Sequence, residues 1–195
     1  MRKLVLLACV AAVLAAAVVF GIRVIRSLPH GQSFYQPIVE GQVYRSSQPS
    51  NADWAWMHQH LGIRAVVDLR CQDDEEGDFN PEEGAEIGQA GMKHVHIPMT
   101  KLGPNAEDVG RFLDAMADPA NRPVLIHCAA GRVRSGMMVA VYRMEFQSWS
   151  NQQALDEFFA RLSHQDQHKA AEQFIRDYQR RRAPATQPTS RGDAG

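Results

Sequence analysis

The chain has 195 residues, 45% of them hydrophobic and 22% charged, enough for one ordinary domain with a sizeable core plus an appendage. Its 21 Lys and Arg offset 22 Asp and Glu, so the formal net charge of −1 offers no basic surface and no nucleic-acid partner is expected. Three cysteines, Cys9, Cys71 and Cys128, do not make a disulfide scaffold.

The appendage comes first. Residues 4–22 are apolar or small throughout, with Arg2 and Lys3 before them and Arg23 and Arg26 after them. As a helix they span about 28 Å, close to the hydrocarbon thickness of a bilayer. Residues 1–26 are therefore expected to form an N-terminal transmembrane helix, making the protein a single-pass membrane protein anchored through residues 4–22. A cleaved signal segment is the rival, helped by the alanines at 15 to 17; the length of the run and the basic residues after it argue for the anchor. Two basic side chains flank each end, so the positive-inside count is a tie. The short basic start resembles a signal-anchor, which leans the domain toward the extracytoplasmic side.

Residues 27–36, with Pro29, Gly31 and Pro37, read as a linker to a domain over residues 37–182. Residues 39–45 predict a first strand or hairpin. Asn51 or Asp53 caps a helix through residue 60, which Leu61-Gly62 ends. Residues 64–70 form a continuous apolar strand, the pattern of burial on both faces. An acidic, flexible loop over residues 71–80 follows. Pro81 opens a helix to about residue 90, stopped by Gly91. Residues 93–98 make another strand, and a loop with Gly103 and Pro104 leads to a helix capped by Asn105 and running to about residue 117. Residues 124–127 are the central strand, residues 135–146 a buried helix, and residues 151–162 and 169–182 two further helices. Residues 183–195, rich in Pro, Thr and Gly, read as a disordered tail. Strands alternating with helices predict an α/β domain: a central, mostly parallel sheet of four to five strands flanked by helices.

The chemistry concentrates where the central strand ends, in His127-Cys128-Ala129-Ala130-Gly131-Arg132-Val133-Arg134-Ser135. A cysteine and an arginine separated by five residues, between a strand and a helix, form a phosphate cradle with a nucleophile at its base. A free thiol is only about 3% thiolate at pH 7; a helix N-terminus and nearby cations shift a thiol toward its nucleophilic form. Backbone N–H groups of Ala129, Ala130, Gly131, Arg132, Val133 and Arg134 can turn toward three phosphate oxygens. Gly131 permits the tight turn. Arg134 can grip two oxygens and follow their charge into the transition state. Ser135 can donate to the sulfur as it leaves, and His127 orders the loop by hydrogen bonds. An isolated Cys-x5-Arg is more often an inert core cysteine and a surface arginine. Here the flanking His, Gly and Ser and the strand-to-helix setting argue together for the cradle, and the scheme calls for no metal and no cofactor.

This stretch resembles the signature loop of the cysteine-dependent protein tyrosine phosphatase superfamily. The remainder is most similar to its compact dual-specificity branch, including bacterial members and the atypical plant-and-fungi group. Val43-Tyr44-Arg45-Ser46-Ser47-Gln48-Pro49, Ala65-Val66-Val67-Asp68-Leu69-Arg70 and the run from Pro123 to Cys128 carry that likeness, which covers roughly residues 35–149. It implies a phosphatase-type fold and hydrolysis of phosphate monoesters, from a phosphorylated protein or a small polyanionic phosphate of the inositol or lipid type, through a cysteinyl-phosphate. Arg45 and Ser46 become candidates for supporting the cradle; Asp68 and Arg70 read as structural.

The superfamily takes its proton donor from an Asp on the loop after the strand preceding the signature strand. Here that loop, residues 99–105, holds no carboxylate. The candidates are Glu107 and Asp108 in the next helical turn, where acids also simply complement a helix N-terminus, and Asp73 and Asp74, with Glu75, Glu76 and Asp78, on the acidic loop. Otherwise the leaving group is acidic enough to need little protonation, as in a phosphoanhydride. Arg132, with Lys101, adds positive charge that suits a polyanion. By the resemblance, Cys71 is a candidate for a reversible disulfide with Cys128. Two alternatives remain at this point: a membrane-tethered phospho-ligand binding module with little turnover, and a rhodanese-like sulfurtransferase, whose usual loop is one residue shorter.

Overall fold

Glu40, Gly41 and Gln42 divide the first predicted strand into a hairpin. The structure, a computed structural model, describes residues 35–71, 80–100, 102–162 and 168–181. Within them β1 (Gln36–Val39) pairs antiparallel with β2 (Val43–Ser46) across a turn in which Gly41 has φ +69°. Gln36 thus belongs to a strand rather than to the linker, and β1 tolerates the Pro37 that follows because it lies at the sheet edge, where one row of N–H groups has no ladder partner.

From β2 onward every strand is parallel and every connection carries a helix. The order is α1 (Asn51–Leu61), β3 (Ala65–Asp68), α2 (Glu83–Gln89), β4 (Lys93–His96), α3 (Ala106–Ala117), β5 (Val124–His127), α4 (Val133–Gln147), α5 (Asn151–Phe159) and α6 (Lys169–Asp177). The sheet runs β1-β2-β5-β3-β4, so the last strand made is the central one. Its four residues are all buried, as the apolar run implied.

Alternation along the strands sorts the core into two layers. Val66 and Leu125 face α1 and α2, packing with Tyr44, Trp54, Met57 and Ile87. Val67 and Ile126 face α3 to α6, packing with Phe112, Met138, Leu155 and Ile175. Each such large side chain contributes roughly 1.5–3 kcal/mol by leaving water. α4 is buried along most of its length, as expected of a helix apolar on most faces.

Several boundaries move for identifiable reasons. The N-cap of α1 is Ser50, and Asp53 is its partner three residues on, accepting from the Ser50 backbone N–H at 2.7 Å. Gly62, with φ +65°, ends that helix in the left-handed conformation. α4 starts at Val133, which brings Arg134 into its first turn. α6 stops at Asp177 because the following residues turn back onto α4, where the Tyr178 hydroxyl and the Arg181 N–H each donate to Glu145 at 2.7 Å.

The single-pass membrane location needs correction. Among the described residues no helix is long and apolar enough to cross a membrane. The 4–22 run on which the transmembrane helix and its extracytoplasmic lean rested lies outside the described residues, as do most of the 27–36 linker and the 183–195 tail.

Candidate active site

Residues 128–132 connect the end of β5 to α4, and the chain after β2 shapes this loop. Gly131 has φ +65°, and a Cβ built there would lie 2.5–2.7 Å from backbone atoms of Ser46 and Ser47. The Gln48 N–H donates to the Ala129 carbonyl at 2.9 Å. The loop is thus held flat against residues 46–48, and only glycine satisfies both the left-handed backbone and the close approach. Gly131→Ala is expected to cut kcat/KM for para-nitrophenyl phosphate by on the order of 100-fold with the fold retained, because the displaced backbone is the part that must face the ligand; steady-state kinetics beside circular dichroism checks this.

At the base of the loop the Cys128 thiol is 2% exposed and lies 3.5 Å from the Ser135 hydroxyl oxygen, itself fully buried. Arg134 is 2% exposed in the first turn of α4, whereas Arg132 and Ala130 are exposed. The first N–H groups of α4 have no partner within their own helix and face the loop end. Buried sulfur, adjacent hydroxyl, helix N-terminus and a guanidinium one turn in are the components of an anion site with a nucleophile beneath it.

Charged side chains flank the loop on both faces of the sheet. On the α4–α5 side Arg45 is buried and donates to Gln36 Oε1 at 2.9 Å. Burial pushes its guanidinium down to about 10; Arg161 acts in the same direction, while Glu157 and Cys128 oppose it, so Arg45 lies within electrostatic reach of the sulfur. Gly136 lets Phe158 pack against α4, since a Cβ there would fall 2.9 Å from its ring.

On the opposite face Asp68, Arg70, Glu83 and His127 form a buried cluster. Arg70 Nε donates to Asp68 Oδ1 at 3.1 Å, and Arg70 Nη2 donates to Asp68 Oδ2 at 3.2 Å and also to Glu83 Oε2. His127 Nε2 lies 3.1 Å from Glu83 Oε1, out of line for a linear hydrogen bond, and 3.6 Å from Asp68 Oδ1. Burial pushes the Asp68 carboxyl up, but His94, with Nε2 3.5 Å away, His127 and Arg70 outweigh it and hold the group well below the usual carboxylate range. Asp68, Glu83 and His127 offer three ligand atoms within 4.8 Å of one another. Arg70 already pairs with both carboxylates, and a metal cation there would repel its guanidinium, so this donor set does not fit a metal ion.

Sequence reasoning singled out neither Glu83 nor the depth of Arg45. Glu83 looked like any acid near a helix start. A signal for Arg45 was present: an arginine in register with the inward-facing Val43.

The remaining candidates separate. Asp108 is largely buried as the third residue of a capping box, accepting from the Asn105 N–H at 2.9 Å, while Glu107 is exposed. Asp73, Asp74, Glu75, Glu76, Asp78 and Lys101 lie outside the described residues. Cys71, half-buried, and Cys128 both carry thiols; Cys71 follows the β3 end two residues past Leu69, whose N–H still donates to the His127 carbonyl at 3.1 Å.

Residues 29–177 match the family described as DSP-PTPase phosphatase fused to NAD+ kinase. The inositol diphosphatase SIW14 of Saccharomyces cerevisiae is 29% identical over 122 residues, 62% of this chain and 42% of its own length. The dual specificity protein phosphatase TpbA of Pseudomonas aeruginosa is 33% identical over 116 residues, 59% of this chain and 49% of its own. The chain thus spans less than half the length of these two relatives. The crystal structure of P. aeruginosa TpbA superposes with a TM-score of 0.59 at 25% identity, covering 76% of this chain and 92% of that one.

Proposed function

Because the chain belongs to the DSP-PTPase family of cysteine-dependent, dual-specificity-type phosphatases, we propose that it hydrolyses phosphate esters through a cysteinyl-phosphate on Cys128. The buried Cys128–Ser135 pair beneath the Gly131 turn is the single observation that carries this reading. Cys128 Sγ attacks phosphorus, a bond forms from sulfur to phosphorus, and the bond to the leaving oxygen breaks. The N–H groups of residues 129–134 and the Arg134 guanidinium carry the charge of the equatorial oxygens. Water then attacks the phosphocysteine, phosphate departs, and Ser135 donates to the sulfur as it is released. His127 orders the loop.

The substrate is a phosphorylated protein or a small polyanionic phosphate. Two features favour the polyanion. Residues 99–105 hold no carboxylate and Asp108 beyond them is committed to its helix cap, and a substrate whose leaving oxygen belongs to another phosphate needs least protonation. Arg132, exposed at the loop rim, adds charge that a single phosphotyrosine does not need. The yeast relative's name, an inositol diphosphatase, supports the same class. Assays with an inositol diphosphate, a phosphotyrosine peptide and para-nitrophenyl phosphate test the reading; no phosphate release from any of them removes it. Arg132→Ala is expected to lower kcat/KM for the inositol diphosphate about 2- to 5-fold more than for para-nitrophenyl phosphate, since an exposed charge pair is worth up to about 1 kcal/mol. Equal effects on both substrates return Arg132 to an outward-facing role.

A further inference from the structure

We propose that Glu83, on α2, is a positioning residue for the cysteine: it clamps the signature loop on both sides of Cys128 at once, through His127 and through Gln48. The inference rests on the reading of Cys128 as the nucleophile and deepens it.

The two carboxylate oxygens of Glu83 have separate tasks. Oε2 accepts from Arg70 and from Gln48 Nε2, the latter at 2.9 Å. Oε1 faces His127 Nε2 at 3.1 Å. Gln48 is itself bound to the loop, its backbone N–H donating to Ala129. Glu83 therefore reaches residue 127 directly and residue 129 through one intermediary, and the cysteine lies between them. Other groups surround His127 without completing a hydrogen bond to it. Asp68 from β3 lies 3.6 Å from Nε2, with Arg70 bridging the two carboxylates, and His94 from β4 meets Asp68 at 3.5 Å. Trp54 from α1 packs edge-on against the imidazole at 5.7 Å. On the far side of the loop Ser135 Oγ lies 3.5 Å from the sulfur and Arg45 is within its electrostatic reach.

The chemistry follows from acceptor counting. Ionised carboxylates only accept, so a ring nitrogen facing two of them carries a proton. Nε2 is then the protonated nitrogen, and a flip of the ring would put Cε1 against Glu83 in its place. That fixes the peptide on which Cys128 is mounted. Gln at position 83 keeps an acceptor of the same shape but loses the charge that holds both Arg70 and the Nε2 proton.

The test uses the full chain and Glu83→Gln. In the folded variant, kcat for para-nitrophenyl phosphate is expected to fall about tenfold with KM nearly unchanged, and iodoacetamide alkylation of Cys128 at pH 6 to slow by a similar factor. Glu83→Asp should recover part of both. Normal alkylation and kcat in Glu83→Gln overturn the proposal. Should that variant not fold, nitrogen-resolved NMR of the wild-type imidazole decides: a His127 proton on Nε2, slow to exchange, supports the clamp, and a ring protonated only at Nδ1 overturns it. A fully active Cys128→Ser protein would instead remove the parent reading, so the two failures are told apart.

Discussion

Cys128→Ser is expected to lower turnover of para-nitrophenyl phosphate by a factor on the order of 10⁴ or more, with an unchanged melting temperature. The substitution removes a single polarisable atom from a site that is 2% exposed and leaves the neighbouring Ser135 contact available to an oxygen. The hydroxyl ionises far above neutral pH, so the serine protein folds but does not attack. The choice of substrate isolates the cause. Nitrophenolate leaves without help from an acid, so a defective proton donor would not show, and the whole effect reports the sulfur. Activity within tenfold of the parent protein would remove the covalent mechanism.

Arg70→Met is expected to cost about 3–5 kcal/mol of stability, a fall in Tm of roughly 10 °C, because it strands the carboxylates of Asp68 and Glu83 in a buried site. The guanidinium is fully buried and serves both acids, so its removal is not the loss of a surface ion pair. The same cluster sets an acid limb. The folded carboxyl of Asp68 is held below its unfolded value, so its contribution is complete above the unfolded pKa of about 4 and is lost as pH falls from there toward the folded value. Thermal melts of the parent and Arg70→Met proteins from pH 7 to pH 3 check both: the gap should be widest near neutrality and narrow as the carboxylates protonate. Equal melting temperatures at neutral pH would mean that water reaches the cluster.

Much of this architecture was legible because the strongest signals are short and local. Val124-Leu125-Ile126 followed by His127 and Cys128 declares a buried strand delivering a thiol to a helix, and residues 64–70 declare its neighbour. What stayed hidden depends on partners far away in the chain. Glu83 acquires meaning only when β3, β5 and α2 converge, bringing Asp68, Arg70 and His127 to it. Arg45 comes within electrostatic reach of Cys128 only when β5 pairs with β2. The choice between strand and hairpin near residues 39–45 stayed open because Glu40-Gly41-Gln42 is a weak turn signature between two four-residue strands. The hydropathy of residues 4–22 led to a membrane location that the described helices do not support.

The sheet order also governs how the protein is born. β5 enters between β2 and β3, strands made some 60 to 80 residues earlier. A nascent chain that has left the ribosome only as far as α3 holds two strand edges with no partner between them, an invitation to aggregation. The same insertion delivers Cys128 to Ser46 and Gln48, so the reactive thiol and the wall that shapes its loop meet only when translation of the core is nearly finished.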